Sequence, residues 1–285
     1  MKLSIENYNL LNFNNDSIII SPKGVSRVTS PSLLDVLKKL QNRTSISEAD
    51  LSSLLSEHHL DYEDAYRSLE KSVGLKSDRP LFFEKIIVAH DWEDREYLES
   101  LLADELPDST ITCPISELTI TVNNETRYLI AITYQNYDYN ELKSIYFQLA
   151  STLPESAIII CYPAGASYVI GQPHVQALGN ACHFCSIDRV ISHETYKPSK
   201  NTWSNLLNFC QSRYIPTPSA LPTLYQKALI IGALVQKIKF LTGTNGACRY
   251  QDNILQETNI SLSNGQVSES SVSHWCMCDC LRNIK

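Results

Sequence analysis

Five of the nine cysteines stand in two tight clusters, Cys182-His183-Phe184-Cys185 and Cys276-Met277-Cys278-Asp279-Cys280. Thiolates are soft ligands, and zinc takes four of them in a tetrahedron at about 2.3 Å. A CxxC turn presents two sulfurs on one side, so a second pair from a distant segment can close the cage. Ninety-two residues separate Cys185 from Cys278, and an ion shared by both clusters would staple the C-terminal tail to the body of the protein. Spacing leaves open which two of Cys276, Cys278 and Cys280 would bind. It also admits unligated buried thiols or a redox CxxC pair, although a remote second group of thiols fits a redox pair poorly. With four thiols on offer, neither His183 nor His274 is required. Four thiolates leave no open coordination position, so the expected zinc site is structural and does not activate water.

The rest of the composition agrees with a reducing compartment. An odd number of cysteines, in a chain whose start (MKLSIENYNLLNF) shows no basic region followed by an apolar stretch, argues against a disulfide framework and for a cytoplasmic location. The 285 residues are 43% hydrophobic and 19% charged, which indicates a globular chain able to bury a sizeable core. A net charge of −7 disfavours whole-molecule attraction to nucleic acid or anionic membrane. The longest apolar strings, such as SAIIICY and KALIIGALV, fall short of the ~20 residues of a membrane helix.

The elements that must position these cysteines follow from periodicity. Residues 1–78 read as a small module in which YNLLNF, SIIIS and GVSRVT are strands and three short amphipathic helices follow. Leu33, Leu34, Leu37 and Leu40 line the first helix, Leu51, Leu54 and Leu55 the second, and Tyr62, Ala65, Tyr66, Leu69 and Val73 the third. Ser47 with Asp50 marks a helix start and Gly74 a stop. Strands followed by three compact helices suggest a winged helix. KSDRP, residues 76–80, is the expected linker into a second domain, 79–285. There strands and helices alternate: EKIIVA, a helix over DREYLESLLADEL, ELTITV and RYLIAITY as strands joined at Asn123 and Asn124, a helix over NELKSIYFQLAST, then SAIIICY and ASYVIG as strands. This is an α/β pattern with a partly parallel sheet. Helices over TWSNLLNFCQSRY and LPTLYQKALIIGALVQKIKFLTG follow, the second closed by Gly243, and the polar stretch 256–273 reads as a strand pair or hairpin.

A winged helix invites a DNA-binding reading, and the charges oppose it. Residues 1–78 hold nine lysines and arginines against eleven acids, and the third helix carries Asp61, Glu63, Asp64 and Glu70 against Arg67 and Lys71. A duplex presents a negative charge every ~1.7 Å of axis and would repel that helix. The same architecture can bind an extended peptide along a sheet edge, with Tyr62, Tyr66 and Leu69 as apolar lining. The alternative is that these three simply pack the module's own core.

The α/β domain lacks the usual means of holding a nucleotide. EKIIVA runs into His90-Asp91-Trp92-Glu93-Asp94, and no glycine occurs between Gly74 and Gly165. Phosphate-binding turns need glycines for close backbone approach, and three acids here stand where an anion would go. A helix starting at Asp91, with acids complementing its dipole, accounts for them better than a His–Asp acid/base pair.

The stretch GQPHVQALGNACHFCSIDRVISHE, residues 171–194, resembles the segment leading into the zinc CxxC of the ThiF/MoeB and ubiquitin-activating-enzyme-like superfamily. More narrowly, CHFCSIDRVIS, the TWSNLL helix, KFLTGT and the terminal HWCMCDCLR are similar to McbB-like subunits of thiazole/oxazole synthetases, which build azoles in microcin-type ribosomal peptides. The sharp motifs lie between about 171 and 282. The resemblance implies an N-terminal winged-helix RiPP recognition element, residues 1–78, followed by a degenerate ThiF-like α/β scaffold. By matched position it assigns the zinc to Cys182, Cys185, Cys278 and Cys280, with Cys276 an extra thiol. It further implies a non-catalytic subunit that grips a precursor's leader peptide and presents it to a YcaO-type cyclodehydratase, with an FMN-dependent dehydrogenase completing the azoles. ATP and FMN would then belong to partner subunits, with no nucleotide in this chain, and the scaffold is expected to be a homodimer through its α/β domain. The leader contacts are expected on the edge strand at Val25, Arg27 and Val28 and on the third helix at Tyr62, Tyr66 and Leu69. The competing expectations are a working ATP-dependent adenylating or sulfur-transfer enzyme of the ThiF/MoeB type, and a zinc-stapled transcription regulator.

Overall fold

The computed structural model describes residues 2–13, 16–77, 82–196, 201–242 and 254–281. The chain divides into two compact units, one formed by the first 81 residues and the other beginning at Phe82.

In the first unit β1 (Lys2–Ser4), β2 (Asn9–Phe13), β3 (Asp16–Ser21) and β4 (Gly24–Val28) precede α1 (Pro31–Leu40), β5 (Ser45–Ser47), α2 (Glu48–Glu57), α3 (Tyr62–Val73) and β6 (Lys76–Ser77). Two antiparallel sheets result, β2-β3-β4 and β5-β1-β6. Each helix starts on a side-chain cap: Ser30, Ser47 and Asp61 accept the N–H of the residue three positions on. Gly74 ends α3 at φ +62°, a left-handed conformation that costs glycine little. Leu37, Leu40, Leu51, Leu55, Leu69 and Val73 meet Leu3 and Ile19 in the core. The β5-β1-β6 sheet is not legible from periodicity, because strands of two or three residues give no alternation to read. Lys76 and Ser77, taken in the sequence as the start of a linker, pair with β1 and return the chain to its own N-terminus. The remainder of that stretch, 78–80, lies outside the described residues.

The second unit runs β7 (Lys85–His90), α4 (Arg95–Glu105), β8 (Thr110–Pro114), α5 (Leu118–Thr121), β9 (Tyr128–Thr133), α6 (Tyr139–Thr152), β10 (Ala157–Ala164), β11 (Ser167–Ile170) and β12 (His174–Val175). It continues through α7 (His183–Thr195), α8 (Trp203–Arg213), α9 (Leu224–Thr242), β13 (Gln256–Ser261) and β14 (Val267–Ser271). One sheet has the order β14-β13-β11-β10-β9-β7-β8, with β12 paired to β10. Strands β8, β7, β9 and β10 are parallel, and β10 through β14 continue antiparallel. Alternate residues of the parallel strands serve opposite faces. Ile87, Ile130, Ile132, Ile158 and Ile160 pack with Leu142 and Tyr146 of α6, Phe184 of α7 and Leu207 of α8. Ile86, Val88, Leu129, Ala131 and Ile159 pack with Leu98 and Leu102 of α4 and Ile231, Leu234 and Ile238 of α9. No helix among the described residues is long and apolar enough to cross a membrane.

Two local expectations are corrected. ELTITV is not a strand: a 3-10 turn over Ile115–Glu117 leads into α5, and Ile120 is 84% exposed with no sheet to cover it. The helix expected to start at Asp91 starts at Arg95, after Asp94. The polar stretch after residue 256 does form a hairpin, β13–β14. The expected helix stop at Gly243 lies outside the described residues.

Gly171, between β11 and β12, shows how tightly the sheet edge is set. Its N–H donates to Ile160 O at 2.9 Å, and a Cβ there would stand 2.9 Å from the same backbone oxygen. Gly171→Ala is expected to lower stability by about 1–3 kcal/mol, read as a lower urea midpoint, because the obstacle is main chain and cannot swing aside. An unchanged midpoint would show that β10 and β11 give way freely.

Candidate metal centre

Cys182 is the N-cap of α7 and Cys185 lies in its first turn, so both sulfurs sit at the positive end of a helix dipole that favours thiolates. The tail brings Cys278 and Cys280 back to them through two tight turns, Cys278 N–H to Trp275 O and Leu281 N–H to Cys278 O. The Sγ atoms stand 3.8 Å apart for Cys182–Cys185, 3.4 Å for Cys182–Cys278 and 3.5 Å for Cys185–Cys280. All four lie within 4.8 Å of one another and all four residues are buried. Sulfurs 2.3 Å from a tetrahedral centre stand about 3.8 Å apart, so the cluster fits a four-coordinate ion. Cys276, the fifth thiol, is exposed and outside the cluster. Within the cluster the Cys182 thiol donates toward Cys185, which raises the pKa of Cys182 and lowers that of Cys185.

The surroundings hold this arrangement from several elements. Gln172 Nε2 donates to Ala181 O at 3.2 Å and to Cys182 O at 2.8 Å, fixing the entry into α7. Asn180 accepts Val175 N–H on its Oδ1 and donates through Nδ2 to Pro173 O and Ile254 O, so it closes the loop between β12 and α7. Arg189 of α7 donates to Ser273 O at 2.7 Å, and Lys143 of α6 pairs with Asp279 Oδ2 at 2.7 Å. Ser186 Oγ and Ser270 Oγ both donate to Glu257, tying α7 to the hairpin. Gln172 and Asn180 lie within the GQPHVQALGNACHFC stretch that carries the family resemblance; Arg189, Lys143 and Glu257 act through contacts between segments far apart in sequence.

The two histidines near the cysteines behave differently. His183 is buried and turned away from the sulfurs, with its Nε2 2.7 Å from Tyr137 Oη. Burial lowers its pKa to about 3, so it is neutral at physiological pH. His274 is exposed, donates through Nε2 to Gly179 O at 2.8 Å, and places Nδ1 3.9 Å from the sulfurs of Cys185 and Cys280.

At the carboxyl edge of the parallel strands the connections leaving β7 and β9 diverge, which in open α/β sheets is where ligands bind. Here the Asp91 carboxylate accepts the backbone N–H groups of Gln135 and Asn136, and Gln135 Oε1 accepts the N–H of Glu93. The main-chain donors on this side of the crevice are thus taken by the chain's own oxygens. His90 and Asp91 do not form a dyad: Nδ1 of His90 accepts the Trp92 N–H, while Asp91 faces the loop after β9.

In the first unit, Val25, Arg27 and Val28 lie on β4, the outer strand of its sheet, and Val25 is 70% exposed. Tyr62 and Tyr66 are half-buried and stack on each other at 5.9 Å between ring centres, on a helix that packs against β3 and β4. Leu69 is fully buried in the core, so it supports this face from beneath.

Residues 3–282 match the family model described as microcin B17-processing protein McbB. A relative of that name from Escherichia coli is 24% identical over 288 residues, which cover 98% of this chain and 95% of the relative. The fold is similar to a chain of the E. coli microcin synthetase McbBCD complex with pro-MccB17 bound, with a TM-score of 0.67 at 23% identity over 98% of this chain and 99% of that one. A heterocyclase in complex with substrate and cofactor gives a TM-score of 0.55 at 11% identity, over 95% of this chain and 38% of that longer one.

The geometry separates the thiols cleanly. Cys182→Ser or Cys278→Ser is expected to reduce metal content from about one ion per chain to a small fraction and to lower the melting temperature, since coordination energy is part of folding energy. Cys276→Ser is expected to retain the metal. Elemental analysis of the purified proteins reads both, and loss of metal in the Cys276 variant would reassign the ligands.

Proposed function

Because the chain belongs to the McbB family of microcin B17-processing proteins, we propose that it is the scaffold and leader-peptide-binding subunit of a heterocycle synthetase. In this reading the synthetase converts Ser, Thr and Cys of a ribosomal precursor peptide to oxazoles and thiazoles. The observation that carries the reading is the family match along residues 3–282, which takes in both units rather than the cysteine clusters alone.

The sheet β2-β3-β4 followed by α1, α2 and α3 is read as a winged-helix recognition module. An extended leader would add to the open edge of β4 beside Val25, Arg27 and Val28 and set apolar side chains against Tyr62 and Tyr66, with Leu69 beneath them. Main-chain hydrogen bonds would supply affinity, and alternate side chains would supply specificity. The acidic balance of α3 suits a peptide better than a polyanion.

The second unit is read as a homodimeric scaffold whose nucleotide crevice is closed. Zinc held by Cys182, Cys185, Cys278 and Cys280 would be structural, because a tetrathiolate ion has no vacant position for water. Holding the leader would raise the effective concentration of the precursor's Ser, Thr and Cys residues at a partner's active site. The partners are a YcaO-type cyclodehydratase, which would use ATP, and an FMN-dependent dehydrogenase. The complex of the E. coli relative contains a pro-peptide and companion subunits, which supports this arrangement.

Tyr66→Asp places a charge on the proposed apolar lining and is expected to weaken leader-peptide binding by tenfold or more, as truncating an interface anchor does. Fluorescence anisotropy with a labelled leader reads the affinity, and circular dichroism checks that the fold is retained. Unchanged affinity would remove this groove from consideration. The isolated chain is expected to show no ATP–pyrophosphate exchange; measurable exchange would restore the adenylating-enzyme alternative.

A further inference from the structure

Lys237 of α9 is the one buried lysine or arginine among the described residues, at 7% exposure. Its Nζ donates to Gln256 O of β13 at 3.0 Å. An ammonium carries three N–H donors, so further acceptors can be taken. Lys227 and Lys239 of the same helix pair with Asp94 and Glu105, whereas no carboxylate of the described residues forms an ion pair with Lys237. Burying a cation without an anion beside it is costly. Burial accordingly lowers the Lys237 pKa, with Glu269 acting in the opposite sense.

The amine belongs to the wall of a groove of about 740 Å³ between α9 and the β13–β14 hairpin. Ala233 and Phe240 line it from the helix, and Thr258, Val267 and Glu269 from the hairpin. Thr258 stands opposite Glu269 and Ile260 opposite Val267, so this is the hairpin face turned toward α9. β14 ends the sheet: it pairs with β13 on one side, no strand among the described residues pairs with the other, and its five residues are all exposed. An edge of unpaired N–H and C=O groups is a template for one more strand.

The position of the cation on this edge is specific. Gln256, whose carbonyl Lys237 holds, stands opposite Ser271, the last residue of β14. Lys237 therefore marks one end of the edge, where the terminal carboxylate of an added strand would meet it. Glu269 is the other charged residue of the lining; it is exposed and screened by water, while Lys237 is shielded. One buried cation with an acid nearby suits a single negative charge better than a phosphate dianion. An apolar acid without a peptide backbone would leave the strand edge unused.

We propose that the groove between α9 and β14 binds the C-terminal end of an extended peptide, its free carboxylate on Lys237 and its last apolar side chain against Ala233, Phe240 and Val267. The main chain would add to β14, and alternate side chains would enter the groove. This is a second peptide site, built from the second unit alone and independent of the leader contacts proposed for the first.

The test is fluorescence anisotropy on the full chain with N-terminally labelled pentapeptides ending in Val, Leu, Ile, Phe or Met. At least one free acid is expected to bind saturably, and its C-terminal carboxamide to bind about tenfold more weakly or worse, as removing one partner of a buried charge contact does. N-methylation at alternate residues, which removes main-chain donors, is expected to abolish binding. Lys237→Met keeps the stem and removes the charge; it is expected to lose the preference for acid over amide, with circular dichroism checking the fold. The comparison of acid with carboxamide on wild type stands without any variant. Failure of every free acid to bind at ~1 mM, the weak limit of specific recognition, would overturn the proposal, as would equal affinity for acid and carboxamide. Displacement by excess leader peptide would place the probes in the first unit and overturn it too. Displacement by decanoate as effective as by unlabelled peptide would assign the groove to apolar acids rather than peptide ends.

Discussion

Four sulfurs from segments more than ninety residues apart are drawn together within 4.8 Å, and that convergence joins the C-terminal tail to α7. The closing hairpin and tail have little apolar surface of their own to bury. Every residue of β14 is exposed, and the inward contribution of β13 and the segment after β14 comes from Thr258, Ile260, Val272, Trp275 and the cysteines themselves. Hydrophobic burial at that scale does not offset the cost of ordering a long polar return. Coordination of an ion by four thiolates would: structural zinc sites are worth about 10–16 kcal/mol of apparent binding energy at neutral pH. Set against a typical net domain stability of about 5–15 kcal/mol, the bound ion would decide whether the tail is folded.

The same economy explains why the surrounding polar residues are so fully engaged. Gln172 and Asn180 fix the backbone that carries Cys182, while Arg189 and Lys143 hold the tail from two different helices. Such contacts orient ligands before any ion arrives, which narrows the set of arrangements the thiols can adopt. At the switch point between the ends of β7 and β9, the Asp91 carboxylate takes the backbone donors of Gln135 and Asn136. An α/β sheet of this topology offers that crevice by default; a carboxylate placed in it favours the closed loop and disfavours an entering phosphate.

Much of this was readable in the residues, and the exceptions have physical causes. The clustered cysteines, the apolar strand SAIIICY and the stripes of α1, α2 and α3 carry strong local signals, because ligand spacing and helical periodicity are written in consecutive residues. The choice of Cys278 and Cys280 over Cys276 is not local: it came from resemblance, and the burial of the first two against the exposure of the third matches it. ELTITV alternates like a strand yet turns into α5, since alternation says nothing about whether a neighbouring strand is within reach. Asp91 looked like a helix cap and instead caps a loop 44 residues further on, a partner that no window of sequence contains. The roles of Gln172, Asn180 and Lys143 were hidden for the same reason.

The central claim is that the buried thiols together hold one ion and thereby fix the tail. X-ray absorption at the metal edge of the intact, purified chain tests it most directly. The expected spectrum is a single shell of four sulfur scatterers at about 2.3 Å, with no nitrogen or oxygen neighbour. A metal-free protein with an ordered tail, or a shell of mixed sulfur and nitrogen or oxygen ligands, would contradict it.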